Sequence, residues 1–172
     1  MLQNNLTSNY EITPQTIAVI AQVDENGKST SLILEEETEY SIVQAPSKVI
    51  DQACKFFGSS LRGRQDGTRE ISGLTHKAPI SIDPQSGMYF FPTTSPVKYN
   101  CSWIAHTHVK TIYEAEHGMT TIEFNNGKEV VVDISTGSMM NQIQRTAQFR
   151  YLLDHRIKQL QLLQHSLKTQ TN

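Results

Sequence analysis

The sequence predicts a single α+β domain, an antiparallel β-sheet with a short helix in the N-terminal half and a long helix at the C-terminus. Three observations carry this. Short β-type runs punctuated by turn residues recur between Thr16 and Ile134. A three- and four-residue apolar spacing over residues 49–57 interrupts them. From Ser138 onward Pro and Gly disappear while Gln, Leu, Lys and Arg accumulate. At 172 residues, 37% hydrophobic and 19% charged, the chain suits one soluble domain with a modest core.

Residues 1–15 are polar, lack the basic-then-apolar layout of a signal peptide, and are expected to be flexible. Residues 16–137 form a mainly β region. Its first strand is Thr16-Ile17-Ala18-Val19-Ile20-Ala21-Gln22-Val23, followed by an Asn26-Gly27 turn and a returning strand at Leu32-Ile33-Leu34. Ser47 is placed to cap a helix whose Val49, Ile50, Ala53, Phe56 and Phe57 share a face. Gly58 is placed to end it in the left-handed conformation. Gly58, Gly63 and Gly67, with polar residues between them, predict an irregular loop over residues 59–68. Strands follow at residues 80–82 and 88–91 around the turn Asp83-Pro84-Gln85-Ser86-Gly87.

Residues 102–113 read as one longer strand, and residues 120–134 as a hairpin. Alternation puts Ile122 and Phe124 on the same face as Val130, Val132 and Ile134. A two-residue Asn126-Gly127 turn would oppose Phe124 with Glu129 and mix the faces. The three-residue loop Asn125-Asn126-Gly127 pairs Phe124 with Lys128 and Ile122 with Val130, and gives Gly127 the positive-φ position. After Ser135 or Ser138 as a cap, residues 138–172 form a helix to about Leu167. Phe149, Leu153, Ile157, Leu160, Leu163 and Leu167 trace a stripe near heptad spacing. That stripe packs on its own domain, or its distal part from Leu153 to Leu167 joins another protomer.

The formal charge of −2 hides a segregation. Residues 1–43 carry one Lys against seven acids, and residues 44–110 carry eight Lys or Arg against four. Residues 111–139 are acidic again and residues 140–172 basic. Such blocks can present a positive face without a high pI. The chain has no apolar run of the roughly 18 residues a membrane span needs, so no membrane role is expected. Cys54 and Cys101, without an export signal, read as reduced thiols of a cytoplasmic protein.

Three patterns invite chemistry. His106 and His108 could ligate a metal beside Cys101. Strand alternation opposes that, putting Ile104, His106, His108 and Lys110 on one face and Cys101, Trp103 and Ala105 on the other. The pair also lacks the preceding glycine and closely following acid of a cupin site, so no metal is assigned. The glycine-spaced loop lacks a P-loop's Gly-Lys-Ser/Thr ending and a dinucleotide fold's Gly-x-Gly-x-x-Gly order. Two arginines on a thin loop instead suit a narrow, A·T-rich minor groove. Cys54 lies among Ala53, Phe56 and Phe57, the setting of an inert thiol, and no catalytic triad has a local signature.

Phe56-Phe57-Gly58-Ser59-Ser60, Gly63-Arg64, Gly67-Thr68, His76-Lys77, Pro79-Ile80 and Asp83-Pro84 resemble the competence transcription factor (ComK) family. So do Phe91-Pro92-Thr93, Trp103-Ile104, His106-x-His108-Val109-Lys110, Phe124-x-Asn126-Gly127 and Arg145-Thr146-Ala147, in similar order over roughly residues 16–156. The resemblance implies a non-enzymatic transcription activator of competence and DNA-uptake genes in low-GC Gram-positive bacteria. It implies homo-oligomers, dimers or tetramers, on paired A- and T-rich boxes of double-stranded promoter DNA. The boxes are bound from the minor-groove side, at the nucleoid and with the transcription machinery as partner. No cofactor is implied.

On this reading Arg62 and Arg64 enter the groove. Lys55, Ser59, Ser60, Lys77 and Lys110 meet phosphates, His76, His106 and His108 are further candidates, and Gly58, Gly63 and Gly67 shape the loop. Leu153, Ile157, Leu160, Leu163 and Leu167 are the candidate oligomer contacts. Longer members continue into a tail linked to activation and to a proteolytic adaptor. This sequence stops at Asn172, which puts the adaptor, as a partner, in question. The alternatives are a metal-dependent enzyme using His106 and His108, and a regulator acting through protein contacts of the acidic N-terminal block and the C-terminal helix.

Overall fold

The computed structural model describes residues 11–171. Their order is β1 (Thr16–Val23), β2 (Ser29–Glu35), β3 (Glu39–Ile42), α1 (Pro46–Phe56), α2 (Leu61–Ser72), β4 (Ile80–Asp83), β5 (Met88–Pro92), β6 (Trp103–Ala105), β7 (Val109–Glu114), β8 (Thr120–Phe124), β9 (Glu129–Val132) and α3 (Thr136–Gln170). The strands make an antiparallel six-stranded sheet, ordered β3-β2-β1-β6-β5-β4, and a three-stranded sheet, β7-β8-β9. The α+β expectation holds, long C-terminal helix included.

Alternation within the large sheet builds two cores. Val19, Ile33, Ile80, Ile82, Phe90 and Trp103 face α1 and its Val49, Ile50, Ala53 and Cys54. Ala18, Leu34, Phe91 and Ile104 face the small sheet's Ile122, Phe124 and Val132 and the first turn of α3 at Met139. The layers are thus α1, the large sheet, and the small sheet with the start of α3. The β8–β9 hairpin has the expected register: Ile122 opposes Val130, Phe124 N–H donates to Lys128 O at 2.9 Å, and Gly127 has φ 85°. Ser135 caps α3, accepting from Ser138 N–H at 3.2 Å.

Three expectations are corrected, and a fourth difference is a strand that the sequence reading lacks. Residues 59–68 are not a loop, because Leu61–Ser72 is helical, from Ser60 as N-cap to a left-handed Gly73. Two interior glycines disfavour it by about 1 kcal/mol each, but Ser60 Oγ accepts from Gly63 N–H at 2.9 Å and Thr68 Oγ1 donates to Pro79 O at 2.6 Å. A Cβ on Gly63 would stand 2.8 Å from Ser59 Oγ, and nothing in the structure explains Gly67. Second, Ser47 does not cap α1; Ala45 holds that position and Pro46 starts the helix. Ser47 Oγ instead donates to Pro96 O at 2.7 Å and accepts from the Trp103 indole at 3.1 Å.

Third, residues 102–113 are not one strand. A 3-10 turn at His106–His108 carries the chain out of the large sheet and into the small one. Fourth, β3 has no counterpart in the sequence-based assignment. Of the N-terminal segment expected to be flexible, residues 1–10 lie outside the described residues, whereas Ile12 is buried in the α1-side core.

Candidate nucleic-acid interface

The end of α1 and the start of α2 form one tight corner. Lys55 and Phe56 end α1, Phe57 and Gly58 turn the chain, and Ser60 opens α2. Gly58 N–H donates to Lys55 O and Ser59 N–H to Cys54 O, both at 3.0 Å, with Gly58 at φ 79°. These two bonds are a Schellman ending, and Gly58 stands where such an ending needs a left-handed residue. Asp51 Oδ1 then accepts from Leu61 N–H at 2.9 Å, tying α2 back onto α1, while Asp51 Oδ2 pairs with Lys55 Nζ at 3.0 Å. The Leu61 bond, with help from Lys55, holds the Asp51 carboxyl below the usual carboxylate range.

The structure separates the two arginines. Arg62 is exposed in the first turn of α2 and makes no ion pair with a described residue. Arg64 is half-buried and donates from Nη2 to Ile82 O at 3.2 Å, with its Nε shielded from solvent and unpartnered. It does not project from a thin loop. Lys55, Ser59, Ser60 and Arg62 are brought together at the corner; Lys77 and His76 are not. They lie beyond the far end of α2, whose twelve residues span about 18 Å. There Arg145 of α3 donates to His76 O, and buried Gln142 donates to Lys77 O at 2.9 Å and Pro92 O at 2.7 Å. Lys77 adopts a positive φ of 46°.

The expected stripe of His106, His108 and Lys110 does not exist, because strand parity ends at Ala105. His106 is half-buried; burial, with the Arg150 guanidinium nearby, lowers its pKa. His108 Nε2 lies 2.7 Å from Pro14 O, and its Nδ1 lies 3.6 Å from Glu36. Lys110 pairs with Glu123 at 3.1 Å on the small sheet. Among the described residues no three His, Cys, Asp or Glu side chains are grouped as a metal ion would need. Cys54 and Cys101 are buried free thiols, and burial pushes the Cys54 thiol up to about 12, far from a reactive thiolate.

The ComK protein family model matches residues 7–158. The chain belongs to the ComK family. It is 38% identical over 156 residues to the competence transcription factor of Bacillus subtilis (strain 168), a match covering 88% of this chain and 81% of that protein. No solved structure matches it. ComK membership makes this a transcription factor and not an enzyme. No helix among the described residues is long and apolar enough to cross a membrane.

Two features of this ComK chain escaped the sequence-based search. Phe56 and Phe57 read there as core residues, yet Phe56 is 69% exposed and Phe57 is 37% exposed. Gln142 and Arg145 hold the His76-Lys77 segment from α3, although polar residues of a surface helix ordinarily face water. No apolar periodicity marks α2, because, of its inward-facing Leu61, Arg64, Thr68 and Ile71, only the first and last are apolar.

Proposed function

We propose that this chain is a ComK-type transcription activator of competence that binds A·T-rich promoter boxes from the minor-groove side, as a homo-oligomer. The observation that carries the reading is the α1–α2 corner, where exposed Arg62, exposed Lys55 and two serine hydroxyls stand together on a slightly acidic protein. The minor groove barely separates A·T from T·A, so groove width, box spacing and protein symmetry carry specificity. Arginine is the side chain that a narrow A·T groove attracts.

Arg62→Ala is expected to leave the urea midpoint unchanged and weaken binding to A·T-rich boxes by about tenfold, well beyond its effect on generic duplex. Equal loss on both duplexes would make Arg62 a phosphate contact, with the salt slope falling by about 1. Arg64→Ala is expected instead to lower stability by about 1–2 kcal/mol, through the Ile82 bond and the buried stem. A wild-type midpoint with selective loss of A·T binding would return Arg64 to the groove. Wild-type protein that binds no duplex would favour the regulator acting through protein contacts.

The oligomer contact belongs to the distal part of α3. Leu153 and Ile157 are half-buried, while Leu160, Leu163 and Leu167 are each more than 60% exposed. A second copy of the helix covers them in our reading, as an apolar seam with near-heptad spacing. Replacing Leu160, Leu163 and Leu167 together by Gln is expected to preserve folding and single-box binding. Cooperative binding to paired boxes should fall by at least about tenfold, read by titrating duplexes with one and two boxes. Unchanged cooperativity would remove the seam from the interface.

A further inference from the structure

Phe56 and Phe57 meet edge to face at the corner, ring centroids 5.0 Å apart and planes at 78°. A Phe that is 69% exposed at a helix end forgoes most of the stabilisation that its burial could supply. Nor is the pair on a mobile segment. The Schellman ending, the Ser60 cap and the Asp51–Leu61 bond leave no free linker between the two helices. Phe57 packs edge to face against Phe56, and these bonds fix the backbone that presents the exposed ring. Lys55 precedes it and Arg62 follows within the same corner.

We infer that Phe56 is a wedge that enters between adjacent base pairs of the bound duplex, partly unstacking one step, while Lys55 and Arg62 hold the flanking strands. This rests on the proposed reading of the corner as the DNA-facing surface. The chemistry fits a nucleic acid better than a second copy of this chain. A two-fold contact through the same patch would bring the Lys55 and Arg62 cations of both copies into one interface. Two phenyl rings at about 150–250 Å² each also fall short of the roughly 800 Å² per partner of a stable interface. A duplex supplies phosphates for the cations and a π-stack for the ring, and apolar side chains inserted at a step are an established way to open and kink a minor groove. A rigid corner carries little ordering cost when the ring inserts.

The test places 2-aminopurine at successive adenines of a duplex carrying two A·T-rich boxes and adds the full chain. Wild-type protein is expected to raise the emission several-fold at one step per box. Phe56→Ala should abolish that rise and weaken binding by about tenfold, with an unchanged urea midpoint because the side chain is exposed. Phe56→Leu, which keeps an apolar end, should retain part of the rise and guards against a variant that misfolds. Wild-type protein that binds the duplex in a salt-dependent way with flat emission at every position overturns the wedge and leaves the DNA-binding reading standing. Wild-type protein that binds no duplex overturns both. A Phe56→Ala change in protomer count by sedimentation, without DNA, assigns the pair to self-association and also overturns it.

Discussion

Phe149→Ala is expected to lower the unfolding free energy by about 4 kcal/mol, the usual cost of removing a buried phenyl ring from a packed site. Phe149 is 2% exposed and is the last fully buried residue of α3. Its ring meets Tyr89 of β5 edge-on at 5.9 Å. One turn on, Tyr89 donates its hydroxyl to Asp154 at 2.9 Å, and the Arg150 guanidinium lies 5.1 Å over the same ring. Without Phe149 the distal helix is left to these partly exposed contacts and to the bond that Arg150 Nη1 donates to Thr107 Oγ1 at 3.1 Å. At a urea slope of about 2 kcal/mol/M the midpoint should fall by about 2 M. Phe149→Leu, which refills most of the space, should lose about 1 kcal/mol. A Phe149→Ala midpoint within error of wild type would mean that α3 is not held on β5 through this ring. The proposed seam at Leu160, Leu163 and Leu167 would then have no fixed direction.

Gln142→Met should cost about 2–3 kcal/mol although it preserves size and shape. The amide of Gln142 donates to Lys77 O and Pro92 O, and its oxygen accepts from Arg145. A thioether keeps the volume and removes both donors. Two carbonyls are then left short of a partner in a site where the side chain is 2% exposed. Gln142→Glu should do no better, since a carboxylate cannot donate to those carbonyls. The readout is the urea midpoint together with amide exchange over residues 74–79, which should become faster than in the Phe149 variant. A Gln142→Met protein with wild-type midpoint and exchange would show that the segment carrying His76 and Lys77 is held by its own turn instead.

Much of the fold was legible where the determining forces are local. The hairpin register followed from side-chain parity and the need for a positive-φ glycine, both written within fifteen residues. Gly58 and Ser135 act at short range in the same way. The reading failed where a distant partner outweighs local preference. Gly63 and Gly67 argue against a helix in isolation, but the bond from Thr68 to Pro79, in the connection to β4, adds to the local Ser60 cap and reverses the balance. Ser47 has the chemistry of a cap and is drawn instead to Pro96 and Trp103.

The candidate site divides along the same line. Motif order was enough for the ComK family, because residue identities survive any error in secondary structure. Whether each residue stands at the surface was not contained in the motif. Arg62 and Arg64, two positions apart on a helix, point to different surroundings, since 100° per residue separates them by about 200° around the axis. His106 and His108 part because the chain changes sheets between them.

By itself, then, the sequence determined the fold class, the hairpin register, the helix end at Gly58 and the family, and it narrowed the start of the last helix to Ser135 or Ser138. Only the tertiary structure decided that residues 61–72 are helical, that Arg64 turns inward, and that Phe56 stands out in water on a rigid corner. The physical reason is the range of the interactions. Turns, caps and alternation are settled by neighbours in the chain, whereas burial of a side chain depends on which distant backbone carbonyl or apolar face the fold brings beside it.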